Sequence, residues 1–237
     1  MYHGDEYSLE AAQARAQAST AFMVKVFNWM AAGLALTGIT AMAMVQSPAA
    51  LKFVFGNSFV FYGLIIGELG LVIYLSARVA KMSAATATGL FLGYALLNGV
   101  TLSSILLLYT GTSLASTFFV TAGMFGTMAI YGTVTKKDLS SWGSFLFMGL
   151  IGVVIAGLVN IFLQSPMVSW VMSGIGVIVF TGLTAHDVQK IRYLGAGAMM
   201  GDDEAGVRKG AILGALTLYL DFVNLFLMLL RFMGDRR

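Results

Sequence analysis

Glu68 and Asp221 each stand in the middle of a long apolar run and Asp187 near the end of another, while Arg78 and Arg231 follow Glu68 and Asp221 at an interval of ten residues. A charged side chain at the centre of a membrane helix costs at least about 2.5–3.5 kcal/mol on insertion scales, so such groups face the interior of a helix bundle and mark function. If the helices carrying Glu68 and Asp221 run in opposite directions, Glu68 comes level with Arg231 and Asp221 with Arg78. Ten residues rise about 15 Å, which sends the two pairs toward opposite membrane faces, and rotate by about 280°, so the arginines must reach. Asp187, at a helix end on the same side as Arg78, can join Asp221 and Arg78 in one cluster. If the two carboxylates meet, desolvation and like-charge repulsion favour a shared proton, Arg78 opposes it, and the group titrates as a unit. Two arrangements that bind protons differently would make a pH-sensitive gate between the helices. The competing reading is structural, with buried ion pairs that fix helix register and nothing transported. For Glu68 and Arg231 both readings stand, since a pair near the membrane edge can simply anchor two helices. Two acids with one nearby arginine leave an unbalanced negative site that invites protons or a cation.

The elements that must position these groups are transmembrane helices. Of 237 residues, 58% are hydrophobic and 11% are charged, against roughly 25% charged in a soluble domain. Apolar runs at 22–45, 59–77, 84–108, 114–134, 145–163, 168–187 and 211–230 each approach or exceed the roughly 20 residues that cross a bilayer core as a helix. The chain therefore predicts an all-α integral membrane protein of seven transmembrane helices, in one domain at 22–231, preceded by a cytoplasmic segment 1–21 and followed by a short basic tail 232–237. Gln46-Ser47-Pro48, Tyr109-Thr110-Gly111-Thr112 and Gln164-Ser165-Pro166 read as turns. The first 21 residues lack the basic start and short apolar core of a signal peptide. There is no cysteine, which removes disulfides, thiolate catalysis and Cys-based metal sites.

With the amino terminus cytoplasmic, Arg15, Lys25, Arg78, Lys81, Lys136, Lys137, Lys190, Arg192, Arg208 and Lys209 are inside and Lys52, Arg231, Arg236 and Arg237 outside, the bias that basic loop residues impose. The basic carboxyl terminus leaves two options, outside after seven full crossings or inside if the last segment is re-entrant. Basic loop residues of this kind orient the chain, and no nucleic-acid partner is expected. The glycine pairs Gly63/Gly67, Gly89/Gly93 and Gly210/Gly214 are expected to pack helices within the chain, a dimerisation face being the alternative. The run 195–201 superficially resembles a nucleotide loop, but its spacing is wrong and no strand precedes it, so it reads as a flexible loop. His186 points about 100° away from Asp187 around a helix and reads as a solvated interfacial residue. Asn98, Asn160 and Asn224 can bond across helices, and Asn224, three residues after Asp221, is a candidate partner for it.

The segments Thr181-Gly182-Leu183-Thr184-Ala185-His186-Asp187-Val188-Gln189-Lys190-Ile191 and Leu218-Tyr219-Leu220-Asp221-Phe222-Val223-Asn224-Leu225-Phe226 resemble the Bax inhibitor-1 family, also called the transmembrane BAX inhibitor motif family, over nearly the whole chain. The resemblance implies a seven-helix fold with the last helix central within two three-helix layers. It further implies a calcium leak channel in which Asp187 and Asp221 are the pH sensor, Arg78 its latch, and Glu68 with Arg231 an ion pair near the pore. The compact loops are similar to those of bacterial members, which implies the inner membrane and carries no role in apoptosis. Calcium is then the permeant ion, no cofactor is expected, and partners are the lipid bilayer, calcium and protons. Tight calcium binding takes six to eight oxygens, so Asp187, Asp221 and Glu68 would meet the ion weakly and in transit. No enzymatic activity is expected, because the Gly-x-Gly-Asp motif of intramembrane aspartyl proteases is absent where Asp221 follows Leu218-Tyr219-Leu220. A proton-coupled transporter and a regulator that binds other membrane proteins are the rival functions.

Overall fold

In the computed structural model, which describes residues 3–201 and 203–237, helix follows helix: α1 (His3–Val45), α2 (Pro48–Phe55), α3 (Ser58–Arg78), α4 (Ala84–Leu108), α5 (Gly111–Val134), α6 (Ser140–Leu163), α7 (Pro166–Gly201) and α8 (Glu204–Met233). All except the short α2 are long and apolar enough to cross a membrane, giving seven spans among the described residues. A helix satisfies its own backbone polar groups, which is what hydrocarbon demands. The expected turns are where the helices break. Ser47 caps α2 through Ala50 N (3.3 Å), Thr110 caps α5 through Ser113 N (3.2 Å), and α6 ends at Gln164 in the left-handed conformation, φ 48°, just before Pro166.

Residues 195–201 form the last turns of α7 rather than a loop, and Phe22 packs against Gly195 there. Apolar packing holds in helical form a stretch that glycine alone would loosen. Residues 3–21 continue α1 in helical conformation, while Met1 and Tyr2 of the segment 1–21 lie outside the described residues. The last span is a helix of 30 residues, long and apolar enough to cross a membrane. Expected intramolecular packing of the glycine pairs holds for one of the three. Gly214 lies against Val26 and Ile191, whereas space is open around Gly63, Gly67, Gly89 and Gly93.

Two compact units divide the chain, Met1–Ser103 with Ile191–Leu216 and Ser104–Lys190 with Thr217–Arg237. Within the first, Thr37 of α1 donates to the Ala95 carbonyl of α4 at 2.9 Å, Phe22 and Val26 pack against Gly210 and Gly214 of α8, and Lys209 Nζ donates to the Ala80 carbonyl at 3.2 Å. Helix α3 is the least enclosed span, with 6% of its most apolar window buried against 61% for α8. Phe59, Tyr62, Ile66, Leu69 and Ile73 are exposed along it, which in a membrane means facing lipid rather than water. In the second unit, α5 meets α7 where Gly132 abuts the Ala185 carbonyl. Helix α5 meets α8 where the Phe118 and Phe125 rings sit edge-on to Phe222 at 5.7 and 5.5 Å. Helices α7 and α8 run antiparallel, with Gly176 against Met228 and Trp170 stacked on Phe232 at 5.0 Å. Asn160 ties α6 to α7, donating to Ser169 Oγ (2.7 Å) and accepting from Ser165 N (3.0 Å).

Candidate functional site

Each unit holds one acidic site within its membrane-spanning helices, and the two are built differently. In the first unit Glu68, half-buried on α3, accepts a hydrogen bond from Thr101 Oγ1 of α4 at 2.9 Å, and Asn98 is also within hydrogen-bonding reach of its carboxylate. Asn98 Nδ2 donates to the Tyr94 hydroxyl at 3.3 Å. Tyr94, Asn98 and Thr101 follow one another at helical spacings of four and three, so one face of α4 presents all three. The carboxylate therefore arrives in the membrane with donors waiting for it.

The second unit brings Asp187 and Asp221 together. The antiparallel register of α7 and α8 sets the two carboxyls within hydrogen-bonding and electrostatic reach of each other. Asp221 is 5% exposed, and among the described residues its Oδ2 has no hydrogen-bond partner. Asp187 has a second partner, because His186 Nδ1 lies 2.7 Å from Asp187 Oδ1 with the two side chains 16% and 17% exposed. This overturns the reading of His186 as a solvated residue turned away from Asp187. Backbone spacing separates adjacent residues by about 100°, but the imidazole swings back because Gly143 of α6 leaves room for the ring; a Cβ there would overlap Nε2. No spacing in the sequence announces that vacancy.

Just beyond lies the α5–α6 connection. Buried Gln189 grips it from both sides, with Oε1 accepting from Leu139 N and Nε2 donating to the Lys137 carbonyl, both at 2.9 Å. Asp138 in this connection accepts from Ser140 N at 2.9 Å. The Ser140 hydrogen bonds hold its carboxyl below the usual carboxylate value, and the nearby His186 acts in the same direction. From the exposed Asp138 inward, acidic and imidazole groups thus succeed one another through His186 and Asp187 to Asp221. In the sequence Gln189 is one residue of a motif, and its two-residue offset from Asp187 is the only hint of this grip.

Of the remaining predicted residues, Glu68 and Arg78 belong to the first unit and Arg231 to the second, and both arginines are exposed. Asn224, one turn beyond Asp221, is half-buried. Among the described residues no three or more His, Cys, Asp or Glu side chains gather as a metal site would need. The acids expected to meet calcium in transit are thus the pair Asp187 and Asp221 in one unit and Glu68 in the other.

A family model described as "Inhibitor of apoptosis-promoting Bax1" matches residues 19–237. The chain is 53% identical over 216 residues to the inner membrane protein YbhL of Escherichia coli strain K12, covering 91% of this chain and 92% of that one. It is 47% identical to an uncharacterized protein of Rickettsia prowazekii, over 91% and 90% of the two chains. A protein of Borreliella burgdorferi is 45% identical over 91% and 92%.

Proposed function

We propose that this chain, which belongs to the Bax inhibitor-1 family, is a pH-sensitive calcium leak channel of a bacterial inner membrane, with its amino terminus cytoplasmic and Asp187 and Asp221 as the sensor. The observation that carries this reading is the Asp221 carboxyl, buried within a membrane span against a second carboxyl and with one oxygen unpartnered. A purely structural acid would be expected to have its donors supplied, since an unsatisfied buried polar group costs about 1–3 kcal/mol. Two carboxyls in contact hold together when they share one proton and repel when both are charged. Charging the pair therefore drives α7 and α8 apart at this level, and sharing a proton lets them close, which is the bistable element a pH gate requires. A carboxylate pair with few other oxygen ligands suits weak calcium occupancy, as passage demands. Location in the inner membrane follows the Escherichia coli relative, and the cytoplasmic amino terminus follows the distribution of basic residues.

A proton-coupled transporter is the second reading, and the His186–Asp187 contact favours it, since an imidazole bonded to a carboxyl can hand a proton inward. Purified protein in liposomes loaded with a calcium dye separates the readings. The leak predicts calcium flux that varies with pH in the native chain and loses that dependence in Asp221→Asn. Saturable, proton-driven solute uptake without calcium flux would establish the transporter instead. Folded protein inert in both assays would leave a regulator that binds other membrane proteins.

A further inference from the structure

We infer that the second unit contains a hydrated file, lined by Thr181 of α7 and Thr117 of α5, that leads from Asp221 toward the carboxyl-terminal end of α8. Its occupants are water and a hydrated cation in transit.

The inference starts from three atoms. Among the described residues, the buried side-chain polar atoms without a hydrogen-bond partner are Thr117 Oγ1, Thr181 Oγ1 and Asp221 Oδ2. All three fall in the second unit, and they come from three different helices. A threonine inside a helix has an easy remedy, a bond to the carbonyl four residues back. Thr121 on α5 and Thr184 on α7 take it, at 2.7 and 2.8 Å. Thr117, only 1% exposed, and Thr181 do not. Their hydroxyls are left for a partner that is neither lipid nor a neighbouring side chain, and water is the partner buried polar groups ordinarily take.

Packing orders the three atoms along one direction. Gly176 meets Met228 and Asp187 meets Asp221, so Thr181 stands level with about residue 224 of α8, roughly 5 Å beyond Asp221 along the helix axis. Phe118 and Phe125 straddle Phe222, which sets Thr117 about 7 Å past Phe222 in the same sense. These offsets along the helix axis are of the order that one or two waters span at about 2.8 Å per hydrogen bond. Further along the same buried stripe of α5, Ser113 Oγ accepts from Asp235 N at 2.9 Å, where residues 234–237 strap across the α4–α5 turn through Thr110 N to the Asp235 carbonyl and Arg237 N to the Leu108 carbonyl. The file thus heads for a polar end, not for lipid. Its part in permeation rests on the leak reading, but its hydration is measured separately.

Because the chain has no cysteine, single thiols test the file directly. Thr117→Cys, Thr181→Cys and Val179→Cys are each reconstituted in liposomes and exposed to a small cationic, membrane-impermeant methanethiosulfonate, with labelling rates read by mass spectrometry. Val179 is the control, being equally deep on α7 and buried but packed against Gly149 of α6. The file predicts Thr117→Cys and Thr181→Cys labelling at least tenfold faster than Val179→Cys. Equal, slow rates at all three positions overturn it. If Thr117→Cys does not fold, Thr181→Cys decides alone by the same criterion. Calcium flux from the same vesicles keeps the two readings apart: fast labelling without flux upholds the file and ends the leak reading, while flux without labelling does the reverse.

Discussion

Glu68 and Asp221 are both acids in the middle of membrane helices, and each follows the same rule in the sequence, with an arginine ten residues on. Folding treats them in opposite ways. Glu68 sits where α4 offers a hydroxyl and an amide on one face, and its site reads as a satisfied polar contact between two helices. Asp221 is pressed against another carboxyl and keeps an unpartnered oxygen. An acid given its donors strengthens a bundle, whereas one denied them stores free energy that a proton, a cation or water can release. Retaining such a group against its cost suggests use rather than support.

The largest test of that contrast is functional. Gating by one shared proton changes the open-to-closed ratio by up to roughly tenfold per pH unit, so Asp221→Asn should flatten the flux profile while Glu68→Gln, which keeps an acceptor for Thr101, leaves its slope intact. Equal flattening in both variants would erase the distinction. Stability should move the other way. Glu68→Leu removes the carboxylate that Thr101 bonds, leaving its hydroxyl the Asn98 carbonyl at 3.0 Å, and is expected to destabilise by about 0.5–1.5 kcal/mol, whereas Asp221→Leu should be neutral or raise the melting temperature in detergent. A lower melting temperature for Asp221→Leu than for Glu68→Leu would recast Asp221 as structural.

A smaller effect sharpens the comparison at the edge of the second site. Gln189→Leu removes both bonds that hold the 135–139 connection, worth about 1–3 kcal/mol together, and hydrogen exchange at Leu139 should quicken accordingly with the spans unchanged. The smallest is an acid-side effect. Asp138 has a lowered pKa through its bonds with Ser140, so the folded connection binds fewer protons than the unfolded chain. Its contribution is complete above the ordinary aspartate value of about 3.9 and fades only as pH falls through the lower folded value. Exchange at Ser140 followed from neutral pH downward should show that onset in the native chain and none in Asp138→Asn.

Sequence alone determined the solvent of this protein and most of its architecture. Seven runs of apolar residues can cross a membrane only as helices, because hydrocarbon offers the backbone no other partner, and the turns fell where proline, serine and threonine cap helix ends. It also singled out Glu68, Asp187 and Asp221, since the cost of charge in lipid makes any such residue conspicuous. The end of α7 at 195–201 was hidden because glycine weakens a helix locally, and the Phe22 ring that packs against Gly195 comes from far away in the chain. His186 was misjudged for a similar reason, its orientation being decided by the empty space over Gly143 on another helix. Whether an acid finds donors is likewise invisible in its own segment. Thr101 lies 33 residues from Glu68 and no described residue answers Asp221 Oδ2, so only the packing of helices against one another decided which acid was satisfied and which was left poised.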